Sequence, residues 1–372
     1  MNDSSYVHPW DPEKIRITTK HFSLREVVDQ INDRDIDLSP DFQRDYVWNN
    51  QQKIRLIESI LLGIPLPAFY FNQESDGSFQ IVDGVQRLST ISSFMNNGYT
   101  LQSQHLEYLK HLDGLKFEDL PSLELRRFRA TQIVVHVIEP STPNGIKYDI
   151  FSRVNTLGSP LKPQEIRHAM STSRARDFLK LLSENESFDD ATGWNFWNTT
   201  NGERVRDSGR MTNQELVLRY CAFKHASLDE YRNYASLDRF LIDFTRRLDG
   251  KKSEESNLAP ISDYEMSLLY NNFILSMKSA HHILGDNAFR RIEEGKKRGP
   301  LNRAIFESQS IALSLFPHER LIQKSAEVKD ILLDLFKDDD YLKAVTVSTG
   351  SPSSVMIRLT KPKYALENLL ND

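Results

Sequence analysis

The sequence has almost no cysteine and no long hydrophobic run. Its 372 residues include one cysteine, Cys221, which excludes an intramolecular disulfide and any metal site built from several thiolates. No apolar run approaches the ~18–20 residues that a transmembrane helix needs, and the polar, acidic N-terminus has no signal-peptide pattern. We therefore expect a cytoplasmic protein, not a membrane protein, with Cys221 buried as a small hydrophobic residue.

The sequence also lacks an excess of positive charge. With 47 Lys and Arg against 52 Asp and Glu, the formal net charge is −5. Contact with nucleic acid would therefore need a local basic patch. Residues 126–129 and residues 290–298 carry clusters of Arg and Lys that could reach phosphates, although a solvated basic face is the alternative interpretation.

Two halves of the chain differ in their residue patterns. Residues 1–160 mix short helical patterns with short apolar runs, whereas residues 161–372 contain mainly helical patterns. We predict an α+β protein with an N-terminal α/β domain over 1–160 and an all-helical domain over 161–372. The predicted helices of the second half lie near residues 163–183, 212–226, 236–248, 263–284, 301–316 and 319–336, with loops at 184–208 and 250–260.

The first half has the clearer local signals. A capping-box pattern at Ser23 predicts a helix over 24–32, and an Asn cap predicts a helix from residue 49 or 50 to Gly63. Strands are predicted at 36–38, 68–71 and 79–82. The run 133–138 is β-branched at every position except His136 and predicts a central strand.

Residues 81–88 carry the most chemical information. Their pattern predicts a strand that ends at an Asp-Gly turn and is followed at once by a helix. The first-turn N–H groups of a helix lack intrahelical partners, and the helix dipole adds positive charge there, so this corner can bind an anion. Arg87 adds a planar charged fork suited to phosphate, Gly84 allows close approach to the backbone, and Gln86 can orient water. Asp83 can hold a divalent metal ion or accept a proton.

An ordinary structural role for the same segment is the alternative. A cation at a helix N-terminus needs an offsetting partner. A bound phosphate would be one, and the carboxylate of Asp83 or Asp41 would be another. In that case the segment is a capped helix whose Arg87 belongs to an ion pair.

Four blocks of the sequence resemble a known family. They are residues 40–48, 56–67, 82–88 and 150–161, the last followed by Gln-Glu-Ile-Arg at 164–167. In this order they resemble the N-terminal domain family of GmrSD-type restriction endonucleases, in the ParB/sulfiredoxin-like superfamily. The resemblance implies a ParB-like α/β fold, nucleotide binding and NTP hydrolysis, and association with defence against phage DNA.

The resemblance also implies particular site residues. The family signature Asp-Gly-Gln-Gln-Arg falls on residues 83–87, with Val85 in place of the first Gln. Gln43 and Arg44 match the family's Phe-Gln-Arg block, and we expect them to close the phosphate site. Arg153 and Asn155 match the loop near the domain end, although Asn is also an ordinary helix stop.

Three functional hypotheses follow. The first is an NTP-binding, NTP-hydrolysing component of a bacterial DNA-restriction or phage-defence system, with Mg²⁺ at Asp83 because phosphate sites use this ion with few protein ligands. The second is a Mg²⁺-dependent DNA nuclease that uses the same pocket. The third is a non-catalytic module that senses nucleotide or DNA. The adjacent pair His281 and His282 does not form an HNH nuclease motif, so the first hypothesis admits a separate nuclease subunit and DNA as partners.

Several other residues have an ordinary explanation that we prefer. We expect Trp48 to be a core anchor and His168 to be a surface or interface histidine. Trp194 and Trp197 flank a polar stretch, where base stacking is one interpretation and packing beneath a loop is the other.

Overall fold

The structure is a computed structural model and describes residues 12–38, 48–154, 161–200, 202–207, 210–256, 258–292 and 299–370. The chain divides into two units, Met1–Leu161 and Lys162–Asp372.

Strands and helices alternate in the first unit. Within its described residues the elements are β1 (Ile17–Ser23), α1 (Leu24–Asn32), β2 (Ile36–Asp37), α2 (Asn50–Leu61), β3 (Phe69–Gln73), β4 (Phe79–Asp83), α3 (Val85–Met95), α4 (Ser122–Ala130), β5 (Gln132–Ile138) and α5 (Asn144–Val154). Ser23 accepts a hydrogen bond from the backbone N–H of Glu26 at the start of α1, and Asn49 forms a capping box with Gln52 at the start of α2. The helix starts predicted from these caps are confirmed.

The described strands of the first unit form one mixed sheet in the order β1-β5-β3-β4-β2. β5 lies between β1 and β3, so the prediction that it is an internal strand is confirmed. β3 runs parallel to β5 and antiparallel to β4, and the β3–β4 register shifts between Tyr70 and Phe71. Edge strand β1 was not predicted, because its residues 17–21 are all exposed and show no apolar alternation.

One face of this sheet packs against α1, α2 and α3. Val27, Ile57 and Leu88 from the three helices meet Phe71 and Val135 from the strands in one hydrophobic cluster. Val27, Ile57 and Leu88 lie in segments whose apolar residues have helical spacing. This spacing explains why α1, α2 and α3 could be predicted from sequence.

The second unit is built mainly from helices. Its described elements are α6 (Pro163–Met170), α7 (Ser173–Ser183), α8 (Glu186–Thr192), β6 (Trp197–Thr200), β7 (Glu203–Arg206), α9 (Thr212–His225), α10 (Leu228–Arg232), α11 (Leu237–Leu248), α12 (Asp263–Leu284), α13 (Arg303–Leu313), α14 (His318–Gln323), α15 (Ser325–Asp334), α16 (Asp339–Thr346) and α17 (Pro352–Leu370). Helix α9 is central and contacts α7, α11, α12 and α13. Cys221 on α9 is buried, as predicted.

The α+β prediction is confirmed, but the description of the second half as all-helical is too strict. The stretch 184–208, predicted as a loop, contains α8 and the antiparallel hairpin β6–β7. Phe188 on α8 is buried and stacks on Phe196 at 5.6 Å between ring centroids. These two aromatic residues anchor a stretch whose other residues are mainly polar, so its average composition indicated a loop.

Two further expectations about single residues can be compared with the structure. His168 is only 5% exposed, so a position on the surface, one of the two expected for it, is wrong, and a position at an interface stays a prediction. Trp48 is partly buried and packs against the cluster of the first unit, in agreement with its predicted role as an anchor. Among the described residues we find no helix whose length and apolar character together would let it span a lipid bilayer.

Candidate functional site

The candidate site is the corner where β4 passes into α3. β4 ends at Asp83, Gly84 adopts a left-handed conformation with φ of 103°, and α3 begins at Val85. No side chain caps α3, although the Leu88 N–H donates to the Gly84 carbonyl oxygen at 2.9 Å. The predicted strand, turn and helix are therefore present, and the start of α3 keeps the electrostatic character that favours an anion.

Gly84 is required at this corner for two structural reasons. Its positive φ is one that L-residues with a side chain rarely adopt. A Cβ at this position would also lie 2.2 Å from Cδ1 of Phe69. The Phe69 ring thus occupies the space that a side chain at position 84 would need. Glycine is required here for this packing, whether or not it also lets a ligand approach the backbone.

Arg87 is held by several groups around the corner. Its Nη2 donates to the Asp83 carboxylate at 2.8 Å and to the Ala68 carbonyl at 3.2 Å, and its Nη1 donates to the Pro67 carbonyl. The guanidinium carbon also lies 4.1 Å from the centroid of the Phe69 ring. These bonds use three of the five N–H donors of an arginine, so Arg87 has a structural role whether or not it binds a ligand.

Burial and charge act in opposite directions on Arg87. Its side chain is only 13% exposed. Burial lowers the pKa of Arg87 from its usual value, and the nearby Asp83 carboxylate partly offsets that effect. The ion pair predicted as the alternative to a bound phosphate is therefore present, with Asp83 as the partner.

Val85 and Gln86 have different surroundings. Val85 is 5% exposed and belongs to the hydrophobic cluster of the first unit, so its side chain points into the core. Gln86 is half-buried, and its backbone carbonyl oxygen accepts a hydrogen bond from the Thr90 hydroxyl at 2.7 Å. The residue that departs from the family signature is thus a core residue in this chain.

The remaining predicted site residues are only partly described. Arg153 is exposed in the last turn of α5, a helix that packs beside β4. Gln43, Arg44 and Asn155 lie outside the described residues, as does Asp41, the other carboxylate considered as a partner for Arg87. The structure therefore brings together Asp83, Gly84, Gln86 and Arg87.

Asp83 is the carboxylate of this corner that could hold a metal ion. One of its oxygens, Oδ2, is paired with Arg87, and the side chain is 34% exposed. In the part of the chain that the structure describes, no group of three or more His, Cys, Asp or Glu side chains is arranged to hold a metal ion. A single carboxylate suits Mg²⁺ only when phosphate and water supply the other ligands.

The Gln-Glu-Ile-Arg block at 164–167 lies on α6 in the second unit. Arg167 is 1% exposed and donates from Nη1 to Asp238 at 2.8 Å. Glu165 pairs with Arg210 at 2.6 Å. These contacts anchor α6 among the helices of the second unit, which the sequence block alone did not indicate.

A second buried ion network lies deeper in the helical unit. Glu307 is fully buried and accepts hydrogen bonds at 2.7 Å from Nη1 of Arg219 and from Nε of Arg358. Arg219 also pairs with Glu215 one turn away on α9. The sequence did not predict this network, because no local pattern shows that α9, α13 and α17 bring these charges together.

The aromatic partner of Arg87 was also missed from sequence. Phe69 was predicted as a strand residue, and its ring is buried beneath the guanidinium. Phe69 directly follows Pro67 and Ala68, whose carbonyl groups accept hydrogen bonds from the same arginine. This position in the chain is the sequence feature that could have indicated the contact. That signal becomes readable only once the register of β3 and β4 is known.

Comparisons with known proteins address the predicted resemblance. None of the curated proteins compared with this chain matches it. Among solved structures, the chain is similar to one described as "Structure of the C2221 form of Pnob8-like ParB-N domain", with 12% sequence identity, a TM-score of 0.22, and coverage of 96% of this chain and 99% of that chain. Residues 24–171 match the family described as GmrSD restriction endonuclease, N-terminal domain, which confirms for this segment the resemblance that the four sequence blocks predicted.

Proposed function

We propose that the β4–α3 corner binds the phosphates of a nucleoside triphosphate, and that the chain is an NTP-hydrolysing component of a DNA-restriction system that acts against phage. The observation that carries this proposal is the start of α3, which has no side-chain cap and follows Asp83 and Gly84, with Arg87 in its first turn. The match of residues 24–171 to a restriction-endonuclease domain supports the biological setting. DNA and a separate nuclease subunit are the partners that the proposal includes.

Each residue of the corner has a defined part in this proposal. The start of α3 and the two remaining N–H donors of Arg87 contact phosphate oxygens. Asp83 contributes one oxygen to Mg²⁺, whose other ligands are phosphate and water. Gln86 orients the attacking water, while Gln43, Arg44, Arg153 and Asn155 are proposed as further phosphate contacts.

The core position of Val85 supports retention of the site. A side chain that packs with Leu88 and Ile91 in the first-unit cluster does not reach a ligand at the start of α3. The difference from the family signature at position 85 therefore removes no polar group from the ligand side of this corner. It gives no reason to prefer the non-catalytic hypothesis.

Binding of each of the four NTPs to the full-length chain in Mg²⁺, measured by isothermal titration calorimetry, tests the proposal. We expect Arg87→Ala to lower affinity at least ~10-fold, because a hydrogen bond to a charged group contributes about 1.5–3 kcal/mol. Arg129→Ala is the matched control, since Arg129 is exposed and also lies over a phenylalanine ring, 5.4 Å from the Phe117 centroid. Equal affinities for the parent and a folded Arg87→Ala variant would show that the site is wrongly assigned.

Turnover assays separate the three hypotheses. Phosphate release from free NTP without DNA supports the proposed hydrolase. Plasmid nicking with Mg²⁺ and no NTP supports the nuclease, and NTP binding without turnover supports the sensing module. Asp83→Asn should abolish whichever Mg²⁺-dependent activity is present.

A further inference from the structure

A row of cross-strand neighbours leads away from Asp83 across the first-unit sheet. In the strand register Tyr70 lies opposite Asp83 on one side and opposite His136 on the other, and His136 lies opposite Thr19. Residues that face each other in a ladder point to the same side of the sheet. Thr19, His136 and Tyr70 therefore share a face, which is opposite to the face of the fully buried Phe71.

Two aromatic rings lie side by side in this row. The centroids of Tyr70 and His136 are 5.0 Å apart, with the ring planes inclined at 46°. Both side chains are partly exposed, and the Thr19 hydroxyl lies 3.1 Å from Nδ1 of His136, which fixes the imidazole orientation. His136 is also the residue that interrupts the β-branched run of β5, so the sequence places a polar ring where a core strand would carry Val or Ile.

Two carbonyl oxygens beside these rings lack hydrogen-bond donors. Asn72 and Gln80 face each other across β3 and β4 on the same side of the sheet as Tyr70. Asn72 is 2% exposed and its Nδ2 donates to Glu74 at 2.7 Å, which identifies Oδ1 as the acceptor. Among the residues described, neither Asn72 Oδ1 nor Gln80 Oε1 receives a hydrogen bond. A buried acceptor without a donor is unfavourable, so both oxygens point to a ligand that carries N–H groups.

We propose that Tyr70 and His136 form the stacking platform for the base of the nucleotide, with Asn72 and Gln80 accepting hydrogen bonds from N–H groups on the base edge. This inference rests on the proposed function, because the phosphates are those placed at the β4–α3 corner. Neighbouring strands are about 4.8 Å apart, so His136 lies roughly 10 Å from Asp83 across two strand spacings. That separation is within reach of an extended nucleoside triphosphate.

The platform explains why the ligand would be a nucleotide and not simply a phosphate compound. Any base can stack on an aromatic ring through its π-face. The N–H groups of a base can also donate hydrogen bonds to the oxygens of Asn72 and Gln80, whereas these oxygens would repel a phosphate. A polyphosphate without a base would use the corner alone.

The test compares nucleotides with inorganic tripolyphosphate on the full-length chain. We expect Tyr70→Ala to weaken binding of ATP, GTP and CTP about 10-fold, as loss of one stacking contact predicts, while tripolyphosphate affinity stays within twofold of the parent. Tyr70→Phe is the matched control and should bind all four probes as the parent does. Nucleotide affinity that is unchanged by Tyr70→Ala overturns the platform, as does an equal loss for nucleotides and tripolyphosphate.

Two further measurements use different readouts. Gln80→Met keeps the length of the side chain and removes the acceptor, so nucleotide affinity should fall several-fold with tripolyphosphate affinity unchanged. The ring protons of His136, observed by NMR, should shift on addition of ATP but not of tripolyphosphate, and the absence of an ATP-induced shift overturns the proposal. If the parent binds neither nucleotide nor tripolyphosphate, the proposed function itself fails. If tripolyphosphate and nucleotides bind equally well, the base platform alone is wrong.

Discussion

Nη2 of Arg87 lies 2.8 Å from Oδ2 of Asp83, the residue four positions earlier in the chain. This ion pair joins the end of β4 to the start of α3. The carboxylate offsets a cation that the helix dipole disfavours. The same arginine binds the carbonyl groups of Pro67 and Ala68, which precede β3. One side chain thus connects three segments of backbone at the corner where we propose that phosphate binds.

Removal of this arginine should destabilise the first unit. We expect Arg87→Ala to lower the free energy of unfolding by about 2 kcal/mol, because it leaves partly buried acceptors without their charged donor. Urea unfolding followed by circular dichroism measures the change. Arg129→Ala, which removes an exposed arginine, should change it by less than about 0.5 kcal/mol. A similar small effect for Arg87→Ala would show that the contacts at the corner contribute little to stability.

Gly84 and Gly77 have similar positive φ angles and provide a matched pair. Gly84→Ala should cost about 3 kcal/mol or more, since it combines the strain of a φ of 103° with overlap on the Phe69 ring. Gly77→Ala should cost only about 1 kcal/mol, because φ is 94° there and nothing lies within 4 Å of the added Cβ. Thermal unfolding of the two variants checks the difference. Equal shifts would mean that the Phe69 ring moves away without cost.

The corner could be predicted from sequence because its determinants are local. The strand, the glycine and the apolar spacing of α3 all lie within residues 79–95. The partner of Arg87 was one of two considered, Asp83 or Asp41, because sequence cannot show which carboxylate a folded chain brings closest. The aromatic contact with Phe69 depends on the pairing of β3 with β4, which is not a local property.

Other elements were missed for reasons that can be stated physically. Edge strand β1 is exposed along residues 17–21, so it lacks the apolar alternation by which strands are recognised. Helix α17 continues through Pro362, a residue that usually ends a helix. Its buried Leu359, Leu366 and Leu370 pack against the core of the second unit, and this packing outweighs the hydrogen bond lost at the proline.

The buried ion network of the helical unit should be sensitive to loss of its central carboxylate. Glu307→Gln leaves Arg219 and Arg358 without their shared partner charge, and we expect a cost of about 3–5 kcal/mol. Asp334→Asn is the control, because the Asp334–Lys337 pair is mostly exposed and contributes roughly 0–1 kcal/mol. Denaturant unfolding of both variants, followed by helical circular dichroism, measures the two effects. A cost below about 1 kcal/mol for Glu307→Gln would contradict the interpretation.

The start of α12 should contribute an acid-sensitive part of stability. Hydrogen bonds from the hydroxyl and the backbone N–H of Ser262, followed by His225, lower the pKa of Glu265 from 4.5 to about 2. A carboxyl group whose pKa is lower in the folded state stabilises the fold above its unfolded pKa, and the contribution is lost as the pH falls through the folded value.

We therefore expect Glu265→Gln to be less stable than the parent near neutral pH. The difference should narrow as the pH falls from about 4.5 towards 2, since the parent carboxylate is then protonated as well. Denaturant unfolding over this pH range measures it. Glu367→Gln, which breaks only a 3.6 Å helix-surface pair with Lys363, should stay close to the parent at neutral pH. A parent–variant difference independent of pH would count against the assigned cause.

The placement of α6 has a practical consequence for anyone who divides this chain. The family match ends at residue 171, yet Arg167 and Glu165 find their partners at Asp238 and Arg210. An N-terminal fragment that ends at residue 171 would contain α6 without the partners of Arg167 and Glu165. The C-terminal fragment would lack α6, which packs among its helices. The boundary suited to separate expression of the two units therefore lies near residue 161, ten residues before the end of the family match.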